Sequence, residues 1–267
     1  MTQLSADLTT FDRTTSLVAH PDEPGRFSVV LDDGWSSLVG IHGGYMSALT
    51  VKGAEAVAGT DRSVRTVTSS FLRTGRPGAA EVVVRTIRGG RTLSTVAADL
   101  VQDGKLLVTS RLTLLTERAG VEWSAPQPID VLPIEECVDF TTDVGHFDQA
   151  IGRLDPRRMP FSNGALARVS GYIRPLEPRV IDPAWLAMAS DWFPPPAFVR
   201  LAPPTGGVSI DLTTHVHRTG LHLNDDEWLV ADFSIDNSTG GLAAEHGRLT
   251  LPDGTIVAES LQTRLTA

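Results

Sequence analysis

The stretch "SVRTVTSSFLRTGRPG" (63–78), with "VVVRTI" (82–87) and "LVQDGKLLVTSRLTLL" (100–115) after it, is written twice in this chain. Its counterpart reads "GVSIDLTTHVHRTG" (207–220), "WLVADFSI" (228–235) and "LTLPDGTIVAESLQTRL" (249–265). Arg73-Thr74-Gly75 aligns with Arg218-Thr219-Gly220 at a spacing of 145 residues, and Asp103-Gly104 with Asp253-Gly254 at 150. Self-similarity at a fixed spacing marks a repeated structural unit. Two copies of one unit in one chain predict a fused dimer, with a site where the copies meet.

Each copy has the same order of elements. In the first, strand-like runs cover about 63–73, 81–88, 92–102 and 105–115. Asp103-Gly104 is a tight-hairpin signal between two of them, and Gly89-Gly90 marks another turn. No long helical pattern interrupts these runs, so the sheet is largely antiparallel. In the second, the runs lie near 207–217, 227–238, 241–251 and 254–265.

Upstream of each set lies a strand and a helix. "RFSVVLDD" (26–33) reads as a strand, and "GGYMSALTVKGAEAVAG" (43–59) as a helix stopped by Gly59. Tyr45, Met46, Leu49, Gly53, Ala56 and Val57 form one face, and the many small residues predict close packing. "GALARVSGYIRPLEP" (164–178) suits one or two strands. "DPAWLAMASDWFPPP" (182–196) reads as a helix capped by Asp182, with Pro183 at its first position and Pro194-Pro195-Pro196 as its stop.

A helix must bury its apolar stripe, and a half-solvated sheet one face. The expected class is therefore α+β, with two curved antiparallel sheets each wrapped around a central helix. We expect an N-terminal unit over 1–130, a connector over 131–160 and a C-terminal unit over 161–267. Residues 1–20 read as a polar lead-in with one short helix.

Composition narrows the function classes. The 267 residues are 41% hydrophobic and 21% charged, which is ordinary for a globular protein. A net charge of −9 argues against a broad nucleic-acid surface, although local arginines can still hold an anionic ligand. No apolar run approaches membrane-spanning length, and the N-terminus lacks signal-peptide features. One cysteine, Cys137, removes intrachain disulfides and cysteine-based metal motifs. A cytoplasmic location is expected, with no membrane or nucleic-acid partner.

"HGGYMSALTVKGAE" (42–55), followed by "SSFLRTGRPG" (69–78), resembles the first half of the acyl-CoA thioesterase II-type proteins. "LAMASDWFPPP" (186–196), "SIDLTTHVHR" (209–218) and "IVAESLQTRL" (256–265) resemble their second half. The resemblance runs from about residue 27 to the end, with 116–160 poorly matched. It implies a tandem double hotdog that hydrolyses an acyl-CoA thioester to a free acid and CoA, without metal or organic cofactor.

Thioester hydrolysis needs an oriented or deprotonated water, a polarised carbonyl and a grip on CoA. By resemblance, Asp211 belongs to a catalytic trio that holds the water; the bland reading is a solvent-facing strand carboxylate. Gln262 is implied to bind the same water, whereas a glutamine in a last strand ordinarily faces solvent. The family has a threonine or serine on the strand after "WL"; counting from Trp228 reaches Asp236 instead. Ser238 shares its face, and Thr239 is a further substitute. Two neighbouring carboxylates, Asp211 and Asp236, would raise one pKa.

Gly43 and Gly44 open a helix whose free N–H groups could polarise the carbonyl. The alternative is that they only permit tight packing. His42 and Tyr45 flank them as oxyanion or substrate-binding positions, as does Ser238 from its strand. Arg73 and Arg218 occupy equivalent places in the two copies and are candidates for CoA phosphates. Arg76, Arg88 and Arg91 lie nearby in sequence. Trp185, Trp192, Phe193 and Phe198 are core first and acyl-tunnel lining second. A metal site from Asp211, His215 and His217 fails on geometry, because ligands spread over about 20 Å of one strand cannot close on one ion.

Two other functions remain open at this level. One is a hotdog hydratase or dehydratase using Asp211 with His215 or His42; the other is a non-catalytic acyl-CoA binder. A homo-oligomer is expected, because the outer sheet flanks of a fused pair remain free to associate.

Overall fold

The computed structural model describes residues 8–37, 39–121, 123, 125–126, 128–140, 150–158, 166–200 and 207–266. The first half contains α1 (Thr10–Thr14), β1 (Val18–Ala19), β2 (Arg26–Leu31), β3 (Ser36–Ser37), β4 (Gly40–Ile41) and α2 (Gly43–Ala58). Four long strands follow: β5 (Arg62–Phe71), β6 (Gly78–Arg88), β7 (Leu93–Gln102) and β8 (Lys105–Thr116). The segment after them contributes β9 (Val138–Asp139) and β10 (Ala150–Leu154). Then come β11 (Ala167–Pro175), β12 (Arg179–Ile181), α3 (Pro183–Ala189), β13 (Val208–Val216) and β14 (Leu221–Leu223). The chain closes with β15 (Leu229–Thr239), β16 (Leu242–Thr250) and β17 (Ile256–Leu265).

Among the described residues, thirteen strands form one antiparallel sheet in the order β1-β2-β6-β7-β8-β5-β13-β17-β16-β15-β11-β10-β9. The copies join where β5 pairs with β13, from Asp211 opposite Ser70 to His215 opposite Thr66. Outward from this junction the two flanks run through equivalent strands. The repeat extends to single hydrogen bonds. Leu72 and Arg73 N–H both donate to the Leu107 carbonyl, and His217 and Arg218 N–H both donate to the Val257 carbonyl. Bulges recur too: β5 slips against β8 between Val64 and Thr66, and β13 slips against β17 between Ser209 and Asp211.

Local chemistry explains the elements. Asp103 and Gly104 both take positive φ (50° and 70°), the conformation a two-residue hairpin requires. Gly59 ends α2 at φ 84°. Gly53 lets α2 lie on β6, since a Cβ there would come within 2.6 Å of Val82 Cγ1. Asp182 caps α3 through Trp185 N–H at 2.7 Å, with Pro183 in the first turn. The core includes Trp35, Tyr45, Leu49, Leu112, Trp185 and Leu186, all fully buried.

Two sequence expectations change. The buried part of α2 is not one stripe: Gly44 through Val51 are all buried, whereas Ala56 and Val57 are exposed. The helix packs against its own sheet and against α3 together, so its first two turns have no solvent side. α3 is also shorter than the 182–196 reading. It ends at Ala189, and the residues after it turn back toward α2.

Candidate active site

The start of α2, the end of α3 and the inner faces of β13 and β17 meet around Asp191. Its side chain is 6% exposed. Gly44 N–H donates to Oδ2 at 2.9 Å. Gln262 Nε2 donates to Oδ1 at 2.8 Å, and Ser209 Oγ donates to the same oxygen at 3.2 Å. Gln262 also contacts Ser209 directly. Arg264 Nη2 reaches Oδ1 at 3.3 Å.

The glycines make this approach possible. A Cβ on Gly43 would lie 2.8 Å from Asp191 Oδ2, and one on Gly44 would lie 2.6 Å from the Met188 carbonyl. Any side chain would push the helix start away from the carboxylate.

His42 caps α2. Its Nδ1 accepts the Tyr45 N–H at 3.2 Å, so the ring proton sits on Nε2 and is donated to the Asp191 carbonyl at 2.9 Å. Burial holds the imidazole below its usual pKa, against the opposing pull of Asp191. The ring is therefore neutral at neutral pH. Burial alone would push the Asp191 carboxyl up, but the adjoining His42, then Arg264, Gln262 and the Gly44 amide, bring it below its ordinary value. A carboxylate accepting several donors beside a cation stays ionised even when desolvated.

The expected site residues fall into three groups. Gln262, His42, Gly43 and Gly44 come together around Asp191. Gln262 is 1% exposed, so it is an inward residue and not an edge-facing amide. Tyr45 is next to the cluster in sequence but its hydroxyl is committed to the Thr14 carbonyl at 2.7 Å, and its ring stacks on Trp35.

Asp211, Asp236 and Ser238 lie elsewhere. Residues directly opposite each other on paired strands share a face. Ser209 is opposite buried Arg264, while Asp211 is opposite Thr263 on the outer face. Asp211 accepts the Thr263 N–H at 3.1 Å. Asp236 and Ser238 are exposed at the far end of β15. β17 and β16 lie between that strand and β13, three strand spacings or roughly 14 Å. The expected Asp211–Asp236 carboxylate pair does not form. Ser238 instead hydrogen-bonds Thr266.

The two arginines separate as well. Arg73 borders a cleft of about 410 Å³ with Arg76 and Lys105. Gly75 in the same turn accepts the Ile41 N–H, which ties the cleft to the start of α2. Arg218 belongs to the other seam: Gly220, two residues on, donates to the Ile181 carbonyl at the start of α3.

Asp191, Ser209, Arg264 and Glu245 were missed from the sequence. Asp191 carried a signal: it is the lone charge in the apolar run "AWLAMASDWF" (184–193). The repeat supplies a second one. By strand register, Ser209, Gln262, Arg264 and Glu245 correspond to Val64, Leu112, Leu114 and Val96, and counting nine residues from the helix caps Asp182 and His42 matches Asp191 to Val51. All five counterparts are apolar and at most 2% exposed. The polar set occupies one seam and is replaced as a set in the other.

Residues 31–116 match the model of the acyl-CoA thioesterase N-terminal domain, and residues 128–266 that of the acyl-CoA thioesterase C-terminal domain. A hot-dog-fold protein of unknown function from Alicyclobacillus acidocaldarius is 20% identical, with a TM-score of 0.87 over 97% of this chain and 98% of that one. The acyl-CoA thioesterase II TesB2 of Mycobacterium marinum is 21% identical, with a TM-score of 0.76 over 97% of each chain. The tesB protein of Mycobacterium avium subsp. paratuberculosis is 21% identical, with a TM-score of 0.71 over 96% of this chain and 98% of that one. At these identities the likeness is one of fold. No curated protein matches the sequence. The two domain matches, in order and on either side of the seam that holds Asp191, assign the chain to the acyl-CoA thioesterase family.

Proposed function

We propose that this protein is a tandem double hotdog that hydrolyses acyl-CoA thioesters at the Asp191 cluster, with α2 and α3 as its two central helices. The observation that carries the reading is the convergence of Ser209 Oγ and Gln262 Nε2 on one oxygen of an ionised, buried carboxylate, beside a glycine-opened helix start.

In this mechanism a water takes its place among Asp191, Ser209 and Gln262. Asp191 accepts a proton from it as the oxygen attacks the thioester carbon. Ser209 and Gln262 fix the direction of attack without changing charge. The carbonyl oxygen gains negative charge against the Gly43 N–H at the start of α2, where the helix dipole favours an anion, while the Gly44 and Tyr45 amides hold Asp191 and His42. The carbon–sulfur bond then breaks, CoA leaves as its thiolate, and the proton held by Asp191 returns to sulfur. The reaction needs no cofactor.

Arg73, with Lys105, suits the phosphates of CoA, because their cleft is tied through Gly75 to the start of α2; Arg76 in the same cleft is paired with Asp103. Arg218 stands at the wrong seam for that role. A hydratase reading is less well supported: both ring nitrogens of His42 are engaged, one as the cap of α2 and one with Asp191.

Thiol release from saturated acyl-CoAs of increasing chain length tests the proposal, since a hydratase frees no thiol from them. Turnover that depends on Asp191 supports it. Tight binding of acyl-CoA without thiol release would reverse it in favour of a binding protein.

A further inference from the structure

We propose that Arg264 is a positioning residue for Asp191, and that Glu245 sets how much of its charge Asp191 receives. The inference rests on Asp191 being the base of the proposed hydrolysis. Arg264 stands on β17 two residues after Gln262, facing the same way, and its side chain is 3% exposed. It pairs at two points with Glu245 on neighbouring β16, through Nε to Oε2 and through Nη2 to Oε1 at 3.1 Å. The same Nη2 lies 3.3 Å from Asp191 Oδ1, while Nη1 holds the Gly207 carbonyl at 2.8 Å and Ser209 Oγ at 3.2 Å. One guanidinium thus touches two of the three groups around the proposed water.

The fold does not require this ion pair. At the equivalent positions of the first copy stand Leu114 and Val96, buried and packed. A buried pair that apolar residues can replace is poor evidence for a stabilising role. What distinguishes the two seams is the carboxylate of Asp191. Among the described residues, the charged and titratable groups facing it are His42 from the start of α2, Arg264 from β17 and Glu245 from β16. With His42 neutral, Arg264 is the cation in contact with the base, and Glu245 competes for it.

Opposite signs follow for the two partners. Without the charge of Arg264, Asp191 ionises less readily, and the acid limb of activity moves to higher pH. Without the charge of Glu245, Arg264 acts on Asp191 alone. The limb then moves to lower pH, and the weaker base gives a lower plateau. Neutralising both returns the limb toward its native position.

The test is the pH dependence of kcat/KM for thiol release. The variants are Arg264→Gln, Glu245→Gln, the double variant and Arg264→Lys, each checked by circular dichroism. The expected result is an upward shift of about one pH unit or more in Arg264→Gln, with a downward shift and lower plateau in Glu245→Gln. The double variant should lie between them, and Arg264→Lys near the native limb. If Arg264→Gln does not fold, the Glu245→Gln and double variants still test the two opposing shifts. An unmoved acid limb in folded variants of an Asp191-dependent enzyme would overturn the role of Arg264 alone. Native protein that releases no thiol, or an Asp191→Asn variant at full rate, would instead overturn the hydrolysis reading beneath it.

Discussion

Ser209 and Asp211 stand two residues apart on one strand and face opposite sides of the sheet. The bulge between them breaks the two-residue alternation, so Ser209 points at Asp191 while Asp211 takes the outer face with Thr263. A bulge of one residue re-aims every side chain beyond it. Asp191→Asn is therefore expected to lower the rate of thiol release by about 10²-fold or more, a typical loss for a positioned base. Asp211→Asn is expected to stay within a few-fold of native. Steady-state kinetics on the two variants side by side checks the assignment, and the reverse ranking would refute it.

Ser209→Ala and Gln262→Ala each remove a hydrogen bond to the ionised Asp191 carboxylate. A bond to a charged group contributes about 1.5–3 kcal/mol, so each rate should fall by roughly ten- to a hundredfold. The two should differ in stability. Gln262 is buried and its loss leaves a cavity, which predicts a lower melting temperature for that variant. Thermal melts beside the kinetics separate the two effects.

Gly44→Ala forces a Cβ to within 2.6 Å of the Met188 carbonyl, a backbone atom that cannot rotate away. We expect a loss of about 1–3 kcal/mol in stability, as for overpacking elsewhere. The rate should fall further than Ser209→Ala, because the amide of this residue holds Asp191. Denaturant unfolding gives the first quantity and thiol release the second.

Arg73→Ala should raise KM for acyl-CoA by roughly two- to five-fold with little change in kcat, the scale of one exposed charge contact. Arg218→Ala should leave both constants alone, since its turn adjoins the other seam. Equal effects from the two arginines would reject the placement of the CoA phosphates beside Arg73.

Glu55 supplies a pH test apart from catalysis. Burial, and then the neighbouring Asp182 carboxylate, raise its carboxyl to about 7, with Lys52 opposing them. Because the folded state holds this proton more tightly than the unfolded chain, the contribution to stability is complete below about pH 4.5 and is lost as pH rises through 7. Melting temperatures at pH 5 and pH 8 should therefore fall less in Glu55→Gln than in the native protein.

Much of the fold was legible because its signals are local. Asp103-Gly104, Gly59, and Asp182 with Pro183 each fix a turn or a helix end by their own conformational preferences. The duplicated strands then fix the order. The site was less legible because it depends on distant events. α3 stops at Ala189, five residues before the first of the prolines, and the turn after it brings Asp191 to Gly44. The face of Ser209 depends on a bulge that leaves no mark in the text "SIDLTT" (209–214). Gln262 is named by the resemblance, while Arg264, two letters away, carries no mark in the text that sets it apart from other strand charges.

The apolar residues Val51, Val64, Val96, Leu112 and Leu114 have a meaning beyond packing. In an assembly of two identical chains, any change to one seam is imposed on the other by symmetry. A single polypeptide carrying both copies escapes that constraint. It can devote one interface to a cluster of ionised groups and let the five matching positions of the opposite one become hydrocarbon. The costs of keeping charge away from water then fall on one side of the molecule, and the other side is free to offset them.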